Sequence, residues 1–352
     1  MKILHLIAST GIGGAERHVV DLCRTQREAG LQVCVALPKQ GALGAELERL
    51  DIEQVRVMPG GRWNPLALLS LHRVIRDVGA DLVHAHMPKS AFMAGWATFR
   101  VPCVATAHNM VKHLAPFRHC RQVICVSDMV YQSMRRLGYP ANRLHVVHNA
   151  IDTSRFGTND RDAVRHRMGW HDRFVTLCVA RLVPAKGQQD AIVALAQLLA
   201  RLPAALLVLV GDGPDRNKLV ALANNLGVGD NVLFLGDRHD VPDLLAGSDI
   251  YLQPSIKEGF GIAFLEAMST GLACVGTATG AIPEMVESGV NGLIVPVSDI
   301  NALENAIFDL ASQSAARERM AAAAKMTAQT RFSLVRQAQD TLEVYLRAVR
   351  RP

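Results

Sequence analysis

Short runs of apolar and β-branched residues alternate with amphipathic stretches along almost the whole chain. In the first half these runs read KILHLIA, QVCVAL, EQVRVM, DLVHAH, CVATAH, QVICVS and LHVVHNA. Helix-like segments such as 15–29 and 129–137 separate most of them. Strands that are apolar throughout and lie between helices are typical of a parallel sheet covered on both faces. The pattern therefore predicts a doubly wound α/β architecture.

The second half repeats this plan with the runs FVTLCVA, ALLVLVG, NVLFLG, DIYLQPS, LACVGTA and GLIVPV. A chain of 352 residues favours two domains over one large core. The polar segment Asp152–Arg173 between the halves is interpreted as the linker. We expect a first Rossmann-like domain over 1–160, a second over 161–332, and a C-terminal helix over 333–352 that returns to the first domain. Ligands of such sheets bind beyond the carboxyl ends of the strands, so a cleft between two facing domains is the expected site.

Composition indicates a soluble cytoplasmic protein. Apolar residues make up 49% of the chain and charged residues 20%, which is typical of globular proteins. No apolar run approaches the roughly 18–20 residues that span a membrane, and the N-terminus resembles a strand more than a secretory signal. Seven cysteines without a Cys-x-x-Cys spacing indicate buried free thiols in a reducing compartment.

The net charge of +6 is unevenly distributed. Residues 1–170 carry 22 Lys and Arg against 13 Asp and Glu, a net charge of +9, whereas residues 171–352 carry 16 against 19. A basic first half favours an anionic partner or an anionic membrane surface, although scattered cations are equally consistent with an ordinary solvated surface. The absence of a repeated basic–aromatic pattern argues against a nucleic-acid partner.

Two glycine-rich loops follow predicted strands and precede predicted helices. In STGIGGAE, Gly13 and Gly14 would let the backbone approach a ligand at a helix N-terminus, but Glu16 interrupts the dinucleotide-binding fingerprint. In LVGDGP, Gly211 provides a turn and Asp212 could cap the helix or contact a ligand. Each loop taken alone is equally consistent with a structural turn.

The segment ARLVPAKG places two cations at the carboxyl end of a predicted strand. Arg181 and Lys186 could hold a pyrophosphate there, with the guanidinium spanning two oxygens. The alternative is a pair of solvated loop cations.

The segment IKEGFGIAFLEA carries two carboxylates around a predicted helix start. The free N–H groups of Gly259, Phe260 and Gly261, together with the helix dipole, favour a negative group. Glu258 lies beside that position, and Glu266 would lie about 12 Å further along a continuous helix. That spacing suits the sugar and the ribose of one nucleotide-sugar. The alternative is a capping glutamate followed by a surface glutamate.

Polar residues at two strand ends and in the linker suggest further sites. His84 and His86 share one face of a strand end, where they could bind a metal, but no third ligand is evident and we expect them to line a crevice. His108 follows another strand and could meet substrate. Asp160 and Asp162 have a spacing that suits a divalent ion, yet we expect a solvated turn.

Taken together and in this order, the motifs GIGGAE, VHNAID, ARLVPAKG, LVGDGP and EGFGIAFLEA resemble those of retaining glycosyltransferases of the GT-B fold, family 4. The similarity extends over nearly the whole chain. It implies that Glu258 and the backbone of Gly259, Phe260 and Gly261 contact the donor sugar and its phosphates. It also implies that Glu266 binds the ribose hydroxyls.

The same resemblance assigns the remaining motif residues. Arg181 and Lys186 would hold the pyrophosphate without a metal, so we expect no cofactor. His108 would lie near the donor sugar, and the loop of Gly13 and Gly14 would close over it. Departures from the family pattern at Ala150, Ala180 and Ala185 remove no proposed side-chain contact.

The expected function is transfer of a sugar, with retention, from a UDP- or GDP-sugar to a glycan or lipid-linked acceptor in lipopolysaccharide or other envelope polysaccharide synthesis. A sugar-nucleotide 2-epimerase and a non-catalytic nucleotide-sugar-binding protein are the alternatives. The segments MPKSAFMAGWATFR and VKHLAPFRHCR mix cations with apolar residues, which suits peripheral binding to the inner face of the cytoplasmic membrane. Ordinary protein surface explains them equally well.

Overall fold

The computed structural model describes residues 1–11, 13–58, 64–98 and 100–350. The chain divides into two compact units, one formed by Met1–Ala150 with Leu334–Pro352 and the other by Ile151–Ser333. The first unit therefore ends ten residues before the expected boundary at 160. The last helix belongs to the first unit.

Unit 1 is a seven-stranded parallel sheet with helices on both faces. Its strands are β1 (Lys2–Ile7), β2 (Gln32–Leu37), β3 (Glu53–Arg56), β4 (Leu82–His86), β5 (Cys103–Ala107), β6 (Gln122–Cys125) and β7 (Leu144–Val146), in the order β3-β2-β1-β4-β5-β6-β7. Its helices are α1 (Gly14–Glu28), α2 (Ala42–Arg49), α3 (Pro65–Val78), α4 (Met87–Ala97), α5 (Asp128–Arg136) and α14 (Leu334–Val349).

Unit 2 is a six-stranded parallel sheet built in the same way. Its strands are β8 (Phe174–Val179), β9 (Ala205–Val210), β10 (Val232–Gly236), β11 (Ile250–Gln253), β12 (Ala273–Thr277) and β13 (Leu293–Val295), in the order β10-β9-β8-β11-β12-β13. Its helices are α6 (Arg161–Met168), α7 (Gln188–Leu198), α8 (Arg216–Asn225), α9 (Val241–Gly247), α10 (Ile262–Thr270), α11 (Ile282–Met285), α12 (Ile300–Ser312) and α13 (Ser314–Arg331).

The strand orders confirm the predicted doubly wound α/β class. In unit 1 the order reverses between β1 and β4, and in unit 2 between β8 and β11. Loops that leave adjacent strands at such a reversal diverge to opposite faces of the sheet and open a crevice. The segments 180–187 and 254–261, which carry most of the predicted site, leave β8 and β11 at this position.

The interpretation of Asp152–Arg173 as a linker is wrong. Within it, Asp160 caps helix α6 by accepting hydrogen bonds from the backbone N–H groups of Asp162 and Ala163. Val164 and Trp170 are buried, and Trp170 packs in the apolar cluster that contains Val175 and Leu177 of β8. The segment is polar because its arginines bind neighbouring backbone and acidic groups, not because it is solvated.

Helix α14 completes unit 1 by packing on α1, β5 and β6. Its Tyr345 and Ala348 are fully buried beside Ile3, Leu82 and Val104 of the sheet. The seven cysteines are buried free thiols, as predicted. No helix in the described part of the chain combines the length and apolar character that crossing a bilayer requires.

Candidate active site

An ion pair joins the two loops at the strand-order reversal of unit 2. Lys186 lies in the loop after β8 and Glu258 in the loop after β11, 72 residues later. The ammonium Nζ lies 2.9 Å from Oε1 and 2.8 Å from Oε2 of the carboxylate. The structure thus places these predicted site residues in direct contact, which their sequence positions alone do not reveal.

Three further donors hold the Glu258 carboxylate. Oε1 accepts the backbone N–H of Gly259 at 2.9 Å, and Oε2 accepts the Ser255 hydroxyl at 3.1 Å and the Gln253 amide. The side chain is only 8% exposed. A carboxylate offers about four lone-pair sites, so these contacts leave it little capacity for a further hydrogen bond. Its geometry suits a fixed acceptor that orients Lys186 and the loop.

Backbone contacts hold the two loops against each other. The carbonyl of Ala185 accepts hydrogen bonds from the N–H groups of Ile256 and Lys257, each at 2.9 Å. Gly187 has φ +68°, and a Cβ added there would lie 1.9 Å from the Pro254 carbonyl oxygen. Only glycine permits this approach, so the position of Lys186 depends on it.

A third segment supports the loop after β11. The N–H of Ala281 donates to the carbonyl of Gly259 at 3.0 Å. A Cβ on Gly280 would lie 2.6 Å from the backbone carbonyl oxygen of Gly259 and 2.7 Å from that of Glu258. The segment after β12 therefore packs backbone to backbone under the predicted anion site.

Helix α10 begins at Ile262, with Gly261 as its N-cap at φ +90° and no side chain capping it. Its free N–H groups and dipole favour an anion. The estimate of about 12 Å between Glu258 and Glu266 is wrong in its premise, because only the second half of that segment is helical. The Phe260 ring is buried, 6.2 Å from the ring of Phe332, so this residue offers a ligand only its backbone.

Arg181 contrasts with Lys186 in its surroundings. Its side chain is exposed and forms no hydrogen bond or ion pair within the described residues, whereas its carbonyl accepts from Gln188 at 3.1 Å. Gly211 has φ +116°, and a Cβ there would lie 2.3 Å from the Ala180 oxygen, so the loop after β9 lies directly beside Arg181. Arg181 is thus a cation whose charge no described carboxylate balances.

Asp212 and Glu266 occupy different settings in unit 2. Asp212 is exposed, and its Oδ1 accepts the N–H of Gly213 at 2.6 Å, which shapes the turn after β9. Glu266 is half-buried within α10. Burial raises the pKa of Tyr251, and the negative charge of Glu266 adds to this effect.

In unit 1, Gly13 and Gly14 form the start of α1 and are exposed. The Glu16 carboxylate accepts the Gly13 N–H at 3.0 Å, so the residue that breaks the dinucleotide fingerprint caps the helix. A Cβ on Gly14 would meet no atom within 4 Å.

The predicted crevice role of His84 and His86 is wrong, because both side chains are fully buried. They belong to a cluster of five histidines in which His5, His84 and His86 form one group close enough to share a metal ion. His18, His86 and His108 form a second such group. Burial is the main cause that lowers the pKa of all five, to about 4 for His5 and His18. The expectation that these two histidines have no third partner is wrong, because the sheet topology brings His5 of a distant strand beside them.

A cavity of about 530 Å³ opens at the carboxyl ends of β1 and β2 in unit 1. Its walls include Leu6, Thr10, Met93 and the lysines Lys39 and Lys89. Neither lysine forms an ion pair within residues that the structure describes. The cavity thus combines apolar walls with two available cations.

Sequence reasoning missed Gln253, Ser255 and Gly280 as supports of Glu258. Gln253 and Ser255 lie in the segment DIYLQPS, at the end of a predicted strand. Because ligands of such sheets bind at strand ends, the same reasoning could have identified both residues. Gly280 lies after β12 and meets the loop only through tertiary packing, so no local signal identified it.

Comparison with known proteins matches both units to glycosyltransferases. Residues 160–327 match the family model of glycosyl transferases group 1, and residues 12–155 match that of Glycosyltransferase Family 4. The GDP-mannose-dependent alpha-(1-6)-phosphatidylinositol monomannoside mannosyltransferase of Mycolicibacterium smegmatis is 34% identical, over 84% of this chain and 78% of its own. The lipopolysaccharide core biosynthesis glycosyltransferase LpsE of Rhizobium meliloti is 28% identical, over 95% of both chains.

Among solved structures, Anabaena HepE in complex with UDP aligns over 99% of this chain and 100% of its own, with a TM-score of 0.88 and 28% identity. Separate family models therefore cover the two compact units, and one relative above 30% identity aligns over most of its length. These matches agree with the paired doubly wound sheets and with the predicted anion site in the loops of unit 2. The chain belongs to the group 1 glycosyltransferases of family 4 and is a nucleotide-sugar-dependent enzyme with the GT-B fold.

Proposed function

We propose that this enzyme transfers a sugar, with retention, from a UDP- or GDP-sugar to a glycan or lipid-linked acceptor of lipopolysaccharide or another envelope polysaccharide. The observation that carries the proposal is the arrangement after β8 and β11, where Arg181 is an unbalanced cation and Lys186 is oriented by Glu258. Both cations and the start of α10 lie in segments that leave the sheet at its strand-order reversal, which is where such folds bind ligands.

The charge arrangement assigns different roles to the two cations. Glu258 already accepts from Lys186 through both oxygens, so the ammonium has about one N–H left for a phosphate oxygen. Arg181 retains its full charge and its five donors. Arg181 therefore supplies most of the stabilisation of the departing diphosphate, and Lys186 adds a directed hydrogen bond.

The reaction breaks the bond between the anomeric carbon and the diphosphate oxygen and forms one to an acceptor oxygen. Negative charge grows on the diphosphate, where fixed donors stabilise it, while the sugar becomes oxocarbenium-like. In same-face attack, the acceptor's proton passes to the leaving diphosphate oxygen. No protein nucleophile is then required, in keeping with a Glu258 carboxylate that is already occupied. Fixed cations would take the place of a metal, so we expect no cofactor.

Within this scheme, the backbone of Gly259, Phe260 and Gly261 binds the donor phosphates, and Glu266 binds the ribose. His108 and the loop of Gly13 and Gly14 contribute from unit 1. The relatives support a nucleotide-sugar donor, since HepE was solved with UDP and the mycobacterial relative is described as GDP-mannose-dependent.

The cavity in unit 1 is our proposed acceptor site. Lys39 and Lys89 suit a phosphate or carboxylate, and the apolar wall suits the rest of an amphipathic acceptor. Exposed apolar side chains in the same unit, including Trp96 and Met110, support peripheral binding at the inner face of the cytoplasmic membrane.

The test is a nucleotide-release screen with UDP-, GDP- and ADP-sugars, with and without lipid extract from a bacterial envelope, followed by NMR of the product's anomeric centre. We expect release from one UDP- or GDP-sugar that increases with extract, and a product with the donor's anomeric configuration. Acceptor-independent conversion of the sugar-nucleotide would indicate an epimerase. Donor binding without turnover under every condition would indicate a binding protein.

A further inference from the structure

Five histidines form a polar layer inside the otherwise apolar face of the unit 1 sheet. His5 of β1 lies beside His84 of β4 in the strand register, and Ile7 lies beside His86. His5, His84 and His86 are fully buried, whereas His108, after β5, is partly exposed. The layer therefore extends from the interior of the unit to the edge where the strands end.

Hydrogen bonds link His5, His86 and His108 of this layer into a chain. His5 Nε2 lies 2.9 Å from Gln26 Oε1, and His5 Nδ1 lies 3.0 Å from His86 Nε2. His86 Nδ1 in turn lies 3.4 Å from His108 Nε2. Each bond between two neutral imidazoles needs one protonated and one unprotonated nitrogen, so the tautomers along the chain depend on one another.

A second branch determines which way the Gln26 amide points. Gln26 Nε2 donates to the Tyr345 hydroxyl at 3.0 Å, and that hydroxyl lies 2.6 Å from His84 Nδ1. The phenol accepts from the amide and donates to His84, whose Nε2–H then donates to Thr106 Oγ1 at 2.7 Å. With its Nε2 directed to Tyr345, Gln26 presents its carbonyl oxygen to His5.

An amide oxygen can only accept, so it requires a proton on His5 Nε2. His5 Nδ1 is then unprotonated and accepts from His86 Nε2–H. His86 Nδ1 is unprotonated in the same way and accepts from His108 Nε2–H. This order of protonated and unprotonated nitrogens follows only if the rings are neutral. Burial keeps them neutral by lowering the pKa of each ring.

We propose that Gln26, anchored by Tyr345, is a positioning residue that keeps His108 in its Nε2–H tautomer and leaves the Nδ1 lone pair to accept a hydrogen bond from a substrate hydroxyl. His108 Nδ1 forms no hydrogen bond with the described residues, so it is available to a ligand. The substrate part of this inference rests on the proposed function. Gln26 acts through three imidazoles and contacts no substrate itself.

Metal binding is the competing use of this cluster. Both nitrogens of His5, His84 and His86 already take part in hydrogen bonds to protein groups. An ion bound by these three rings would have to break bonds to Gln26, Tyr345 or Thr106. For His5, His84 and His86 the observed contacts therefore favour the hydrogen-bonded chain, and an ion at His18, His86 and His108 would have to break the bond between His86 and His108.

The test measures the protonated nitrogen of His108 by long-range ¹H–¹⁵N correlation of the imidazole rings in the full-length protein. His108→Gln identifies the His108 signals. We expect His108 to be protonated at Nε2 in the wild type. Gln26→Met removes the amide with little change in size, and we expect the Nδ1–H form of His108 to appear. Thr25→Val is the matched control, because Thr25 is also buried in α1 and, among the described residues, its hydroxyl bonds only the Asp21 carbonyl. We expect this variant to leave the wild-type tautomer unchanged.

Tyr345→Phe is the second variant, and it leaves the Gln26 amide free to turn over. In either variant, transfer should show kcat lowered about tenfold relative to Thr25→Val, with the KM for the donor within about twofold. An Nδ1–H form of His108 in the wild type would overturn the proposal, as would an unchanged tautomer in both variants. One equivalent of tightly bound Zn²⁺ in the purified wild type would also overturn it. The ring measurement needs no substrate, so it can fail or succeed independently of the proposed function.

Discussion

At the scale of single residues, the candidate active site depends on glycines that allow loops to approach closely. Gly187 is the clearest example, because its left-handed backbone lies against the Pro254 carbonyl and precedes α7. Gly227 has nearly the same φ, +71° against +68°, but a Cβ there would meet no atom within 4 Å. Comparing Gly187 with Gly227 therefore separates the cost of a left-handed backbone from the cost of a steric clash.

We expect Gly227→Ala to lower the free energy of unfolding by roughly 1 kcal/mol, the cost of a left-handed alanine. Gly187→Ala should lower it by roughly 3 kcal/mol or more, since the loops must also separate. Urea unfolding followed by circular dichroism measures both. Equal losses in the two variants would show that the contact with Pro254 is unimportant.

Arg181 allows a direct test of the charge argument. Because nothing balances its charge, Arg181→Met should lower kcat/KM by roughly a hundredfold while leaving the fold intact. Arg319→Met removes an exposed arginine of α13 that has no bonding partner within the described residues, and should change kcat/KM less than twofold. Similar losses in both would mean that general surface charge explains the effect.

The residue types at this site were predictable, but their partnerships were not. Arg181, Lys186 and Glu258 stand out because charged residues follow strands that are otherwise apolar. Lys186 and Glu258 meet only because β8 and β11 are neighbours in the sheet, although β9 and β10 lie between them in the chain. The support from Gly280 depends on packing in the same way.

At the scale of elements, α6 shows how a polar segment can be structural. Arg165 donates to Asp249 at 3.1 Å and to the carbonyls of Gly247 and Trp170 at 2.9 and 2.7 Å. Asp249 also accepts the N–H of Val175 at 2.7 Å, which connects this network to β8. Sequence reasoning failed here because two of these partners, Gly247 and Asp249, lie 82 and 84 residues from Arg165.

The N-cap of α6 can be tested separately. Asp160→Ala removes the acceptor for two helical N–H groups and should lower the free energy of unfolding by about 1 kcal/mol. Asp172→Ala removes an exposed aspartate without hydrogen bonds in the described structure and should have an effect below about 0.5 kcal/mol. Chemical denaturation measures the free energy of unfolding of both variants. An equally small effect for Asp160→Ala would support the interpretation of this segment as a solvated linker.

At the scale of the whole molecule, the apolar strand pattern determines the architecture that could be predicted. Each buried run that alternates with a helix became a parallel strand, and the order within each sheet follows the doubly wound plan. The histidine layer illustrates the limit of that reasoning. Its members come from β1, α1, β4 and the loop after β5, and only the completed sheet places them together.

The buried histidines also predict how the two units respond to acid. The histidines with a clearly lowered pKa in the described chain all lie in unit 1: His5, His18, His84, His86, His108 and His145. Between the unfolded pKa of 6.5 and the folded value of about 4, the unfolded unit binds more protons than the folded one. Its stability therefore falls as the pH falls through this window, by on the order of 1 kcal/mol per pH unit for each fully buried histidine.

We accordingly expect unit 1 to unfold before unit 2 as the pH is lowered from 7 to 4.5. Hydrogen–deuterium exchange followed by mass spectrometry resolves the peptides of each unit. Protection lost first in unit 2, or simultaneously in both units, would contradict this use of the histidine layer.

We propose that fixed cations of unit 2, led by Arg181, hold the nucleotide diphosphate without a metal. Calorimetric titration of UDP and GDP in EDTA into the wild type, Arg181→Met and Arg319→Met tests this directly and needs no acceptor. We predict one site for one of the two nucleotides in the wild type and Arg319→Met, with affinity at least tenfold weaker in Arg181→Met. Binding that appears only when Mg²⁺ is added would show that the diphosphate needs a metal, and equally strong binding in the two variants would show that Arg181 does not hold it.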